Sequence, residues 1–134
     1  MRRPRGIAAA TSTRTASRRR GPDLSGRWGV AVVRGRSMLP TLRDGDRLLV
    51  RWGGAARAGR LVVVRLPDAD DGPRPVSVKR AVRRDGDGWW VERDSATEGV
   101  DSWQVGAIPD ADVLGVVLAR WWPRPARALP DPRG

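Results

Sequence analysis

The chain has no histidine and no cysteine, and its 26 basic residues include a single lysine, Lys79. Without histidine a Ser-His-Asp triad is impossible. Without cysteine there is no thiol nucleophile, no disulfide framework and no thiolate metal site. A zinc site would have to use carboxylates alone, which is unusual for that ion, so neither a metal nor a cofactor is expected. Phenylalanine and tyrosine are also absent, which leaves seven tryptophans as the only large aromatic filler. Nowhere do ~18 apolar residues run consecutively, so no spanning helix and no membrane anchor is expected. Every basic residue other than Lys79 is an arginine, whose guanidinium cannot give up its proton to act as a base. Among schemes built on a nucleophile, Ser-Lys chemistry survives this elimination.

The formal charge of +11 suggests a nucleic-acid partner until it is located along the chain. Residues 1–20 hold seven arginines and no acid, +7, and the other 114 residues carry only +4. Residues 1–26 are rich in Arg, Ser, Thr, Ala and Gly without apolar periodicity, and are expected to be a disordered basic tail. Its longest apolar run, Ile7 to Ala10, is far short of a signal-peptide core, and Gly21-Pro22-Asp23 follows Arg18-Arg19-Arg20 where an export signal needs apolar residues. Nucleic acid is therefore not expected as a partner, and a cytoplasmic location is.

From Trp28 the pattern is that of strands and turns. Residues 29–34, 47–52, 60–66, 76–83, 89–93 and 113–122 read as strands, with Asp44-Gly45-Asp46 and Asp85-Gly86-Asp87-Gly88 as turns. Residues 67–75, with three Asp and three Pro, and residues 94–110 read as loops. Helical periodicity is confined to one turn after Ser37. The expectation is all-β: a folded domain over 27–123, preceded by the tail and followed by a Pro/Arg-rich C-terminal tail over 124–134.

Ser37 lies 42 residues before Lys79, in the small-residue stretch Gly35-Arg36-Ser37-Met38-Leu39-Pro40-Thr41-Leu42. A serine hydroxyl attacks poorly until a base takes its proton. Gly35 leaves room for a substrate backbone, Pro40 pushes Leu39 toward an extended conformation, and the Ser37 N–H can face a developing oxyanion. Lys79 must be neutral to serve as the base. Bringing its pKa from ~10.4 to a working value of about 7–8 costs about 4 kcal/mol, which burial can supply. From these two residues alone the plainer reading stands beside the catalytic one: a turn serine and a solvated strand lysine.

The order of segments bears on that choice. Gly35 to Leu42, Gly45-Asp46, Gly59 to Val64, Val78-Lys79-Arg80, and Asp101-Ser102 with Gly106 and Pro109 together resemble the signal peptidase family of Ser-Lys proteases. The resemblance runs from about residue 29 to 121. It implies coiled β-sheets of the signal peptidase and self-cleaving repressor type, with Ser37 as nucleophile and Lys79 as general base. Gly35, Met38 and Pro40 would lie at the oxyanion site and substrate cleft, with Arg80 and Asp101 supporting. Within that family, Asp87 to Val91 and Ala119 to Pro123 are similar to the short, anchorless proteases that mature nickel-type superoxide dismutase. That similarity implies removal of a short, flexible N-terminal propeptide from a precursor protein.

Some positions depart from the family pattern. Arg93-Asp94-Ser95 stands where Gly-Asp-Asn is usual, Gly99 where a serine commonly bonds the lysine, and Trp103 where an arginine follows Asp-Ser. The missing arginine leaves Asp101 without its usual cation, a part Arg80 is expected to take. Rival expectations are a general signal peptidase acting on secreted precursors and a non-enzymatic nucleic-acid-binding protein. The self-cleaving repressor type wants a DNA-binding domain and a scissile site ahead of the serine, which the short basic tail does not offer. Oligomeric state is not legible.

Overall fold

The computed structural model describes residues 27–134. The Arg-rich segment 1–26, and the expectation of disorder placed on it, lie outside the described residues. Seven strands follow in chain order: β1 (Arg27–Val32), β2 (Arg47–Trp52), β3 (Leu61–Arg65), β4 (Val76–Asp85), β5 (Gly88–Glu92), β6 (Ile108–Pro109) and β7 (Val113–Trp122). One four-residue helix, α1 (Ser102–Val105), precedes β6, and a 3-10 turn at Asp110–Asp112 leads into β7. The strands form one curled antiparallel sheet in the order β1-β2-β7-β3-β4-β5-β6, so the all-β expectation holds with a single sheet. Residues 94–110, expected as loop throughout, contain α1 and β6.

The run Leu61 to Val64 is apolar without alternation because β3 is buried on both faces. Leu61 and Val63 join one core with Ala31, Met38, Leu42, Leu48, Val50, Val76 and Val78. Val62 and Val64 face a second core with Leu66, Ala81, Val91 and Ile108. β3 sits between β7 and β4, with Val62 opposite Val116 on one side and Lys79 on the other. Partners directly opposite in a ladder share a face, so Lys79 emerges beside Val62.

β4 changes partners along its length. Val76 to Arg80 pair with β3, whereas Arg80 to Asp85 pair with β5. Among the described strands, Val76 to Lys79 therefore have one neighbour and an open edge. Residues 124–134 do not leave the body of the fold. Ala126 bridges Arg120 and Leu129 lies against the first core. No helix among the described residues is long and apolar enough to cross a membrane.

Candidate active site

The loop between β1 and β2 is closed by main-chain bonds at its neck, Val33 N to Asp46 O at 2.8 Å and Gly45 N to Val33 O at 2.7 Å. Asp44 Oδ1 accepts from the Gly35 N–H at 2.6 Å, and Asp46 Oδ2 accepts from the Arg43 N–H at 2.9 Å. Leu42 N donates to Met38 O at 2.9 Å, the single helical turn expected after Ser37. Met38 and Leu42 are buried in the first core, which pins the turn to the sheet. Gly35 has φ +84°, a conformation that favours glycine, and a Cβ there would meet open space.

Ser37 tops this turn at the open edge of β4. Lys79 Nζ donates to Ser37 Oγ at 2.9 Å. Lys79 is only 1% exposed, and burial, the largest influence, lowers its pKa from 10.5 to about 8. Asp101 opposes that shift, Arg93 reinforces it, and Asp94 opposes it more weakly. Such a pKa leaves an appreciable neutral fraction near physiological pH, the condition for a lysine to take a proton.

A loop from Ser95 to Gly99 closes the other side of Ser37. Ser95 N donates to Ser37 O at 2.9 Å, while Ser95 Oγ accepts from Thr97 N at 3.2 Å and Glu98 N at 3.1 Å. The Arg93 guanidinium clamps the loop through the carbonyls of Ser95, Ala96 and Gly99. Gly99 has φ +117°, and a Cβ there would lie 2.4 Å from Ser37 Cβ. That separation excludes any side chain unless the nucleophile turn moves. That approach leaves no room at Gly99 for the serine that the resemblance led one to expect there.

Arg80 does not serve Asp101. It is fully buried against Asp94, with Nε to Oδ1 at 3.2 Å and Nη2 to Oδ2 at 2.6 Å. Its remaining donors go to the carbonyls of Gly59, Leu129 and Pro130. Asp94 also accepts from Thr41 Oγ1 at 2.5 Å, and its N–H lies 3.3 Å from Met38 Sδ, so it ties the Ser37 turn to β4. The Asp101 carboxylate bonds main-chain amides instead. It accepts from Arg93 N and from Trp103 N, each at 3.0 Å, and caps α1 with Gln104 Oε1 returning to the Asp101 N–H. Two N–H donors thus occupy the carboxylate for which the resemblance implied a cation.

Of the expected site residues, Ser37 and Lys79 meet in a hydrogen bond, and Asp101 acts on Lys79 through its charge alone. Met38 and Ser37 line a shallow cleft with Val33, Arg34 and Pro75 to Val78. Pro40 is exposed and is not among the residues lining that cleft, and Arg80 stands one layer behind, on Asp94. Asp94, Ser95 and Arg93 were not singled out as site residues by the sequence, although their triplet was visible as a departure from the family pattern. Among the described residues no group of three or more His, Cys, Asp or Glu is placed to hold a metal ion.

Compared with known proteins, the family model described as Peptidase S24-like matches residues 14–118. No curated protein and no solved structure matches the chain.

Proposed function

Because the chain belongs to the Peptidase S24-like family, we propose that it is a serine endopeptidase in which Ser37 is the nucleophile and Lys79 the general base. The observation that carries this reading is the contact of 2.9 Å between Ser37 Oγ and the amine of a buried lysine. Neutral Lys79 takes the hydroxyl proton as Ser37 Oγ bonds to the scissile carbonyl carbon. The Ser37 N–H supports the oxyanion. Protonated Lys79 then returns the proton to the leaving amine as the C–N bond breaks. The same lysine, neutral again, takes a proton from a water whose oxygen bonds to the acyl carbon, and returns that proton to Ser37 Oγ as the ester bond breaks. A guanidinium in place of Lys79 keeps the charge but cannot run this cycle.

The substrate lies extended along the open edge of β4, adding a strand beside Val76 to Val78 with its side chains entering the cleft below Ser37. Only a flexible segment can adopt that shape, so the cut falls in an N-terminal propeptide of a precursor protein. The likeness to the nickel superoxide dismutase maturation proteases supports the precursor of that enzyme as the substrate. Co-expression with the precursor, followed by intact-mass measurement, tests both levels. Wild type shortens the precursor at one bond, and Ser37→Ala and Lys79→Arg leave it full length. Cleavage retained in Lys79→Arg would remove the general base. An uncut precursor together with trimmed secretory precursors would move the substrate to the general signal peptidase class.

The family match also favours a second reading, cleavage of the chain's own N-terminal segment. An intramolecular cut proceeds at a rate independent of protein concentration, whereas processing of a separate precursor scales with it.

A further inference from the structure

A second cleft adjoins the dyad and takes no part in the chemistry above. It is lined by Glu92, Arg93, Ser95, Asp101, Trp103 and Gln104, with Arg133 at its rim, and shares no residue with the cleft below Ser37. The Ser95 to Gly99 loop separates the two. That loop touches Ser37 through Ser95 N and through Gly99, and supplies Ser95 to the second cleft. A peptide that lies in the first cleft and crosses Ser37 meets this loop next, and the second cleft borders the loop at Ser95.

Trp103 dominates the surface. It is 70% exposed, yet it is held from three directions. Its Nε1–H donates to Glu92 Oε2 at 3.1 Å, and its ring meets Trp90 edge-on at a centroid distance of 5.1 Å. Its backbone N–H is fixed by Asp101. A large aromatic that is exposed but already immobilised contributes contact area with little ordering entropy, the usual property of recognition hot spots. The charged lining balances, Glu92 and Asp101 against Arg93 and Arg133, and Arg93 and Asp101 are occupied by main-chain partners. Such a lining discriminates by packing and not by charge.

We propose that Trp103 is a specificity-determining residue of a leaving-side subsite that receives an aromatic side chain within the first few residues after the cut. This rests on the endopeptidase reading and extends it to the product side of the bond. An aromatic pair of this kind is worth about a three- to tenfold preference over glycine.

The test uses a peptide library whose first half is constant and whose three leaving-side positions vary. Wild type should favour Phe or Trp over Gly by about three- to tenfold in kcat/KM. Trp103→Ala should flatten that preference by lowering kcat/KM for the aromatic peptides toward that for the Gly peptides, and Trp103→Phe should restore most of it. An unchanged preference in Trp103→Ala, or a preference that follows charge, would overturn the proposal. Binding gives a readout that needs no turnover. In the Ser37→Ala protein, the peptide Phe-Ala-Ala amide should shift the indole N–H resonance that disappears in Trp103→Phe, and Gly-Ala-Ala amide should not. No cleavage of any peptide would strike the endopeptidase reading, whereas an unmoved indole resonance would strike the subsite.

Discussion

Replacing Lys79 by methionine should stabilise the protein near neutral pH, and the gain should fade as the pH rises. Folding lowers the lysine's pKa from 10.5 to about 8 because the amine leaves water. Between those values the unfolded chain binds more protons than the native state, so wild-type stability increases with pH across the window. Below the lower value the full cost is present, about 3 kcal/mol. At about pH 9.5 it falls to about 1.4 kcal/mol, a change of about 2 kcal/mol from pH ~6.5. Methionine carries no charge and has nearly the same length, so its contribution is flat with pH. It forgoes the bond to Ser37, worth about 1 kcal/mol at any pH. Urea unfolding of both proteins at the two pH values isolates the titrating part. The variant should lead by about 2 kcal/mol at the lower pH and by close to nothing at the higher one. A stability gap that stays constant between the two would show that Lys79 is not a lysine held against its own charge, and the basis for a neutral base would go with it.

Gly99→Ala forces a Cβ to within 2.4 Å of Ser37 Cβ and adds the strain of a positive φ. It should lower kcat at least tenfold through displacement of the nucleophile, at a stability cost of about 1–3 kcal/mol, measured by steady-state kinetics beside thermal unfolding. Activity equal to wild type would show the turn has slack that the geometry denies. Arg80→Met takes from buried Asp94 its close bidentate cation, leaving only the half-exposed Arg133 at 3.4 Å, and should cost about 3 kcal/mol in unfolding experiments, whereas Arg80→Met with Asp94→Leu should recover much of it. Additive losses in the double variant would mean the two side chains do not act as a pair.

The strands were legible because they announce themselves by apolar runs between turn residues, whereas the lone lysine only made Ser37 and Lys79 candidates and the resemblance in segment order joined them, 2.9 Å apart in the fold. The strand Val113 to Trp122 was readable to the residue, and the unalternating run in β3 followed from burial on both faces. Hidden parts depend on partners far apart in sequence. Arg80 was matched to Asp101, but its carboxylate is Asp94, 14 residues along, with carbonyls 49 and 50 residues away. Pro-rich composition concealed the return of 124–134, since nothing local shows that Leu129 fills a core or that a buried guanidinium needs its carbonyl. The helix α1 is too short for periodicity, although Asp101 and Gln104 at capping-box spacing were a signal that went unread.

Ser37 is proposed as a nucleophile because the Lys79 amine, buried and drawn toward neutrality, stands 2.9 Å from it. A serine-directed acylating or phosphonylating probe tests it without a known substrate, by intact mass and peptide mapping over a range of pH. Labelling should fall on Ser37 alone, accelerate with pH through an apparent pKa of about 8, and vanish in Lys79→Arg. Labelling elsewhere, or modification of Ser37 that persists in Lys79→Arg with the same pH dependence, would contradict it.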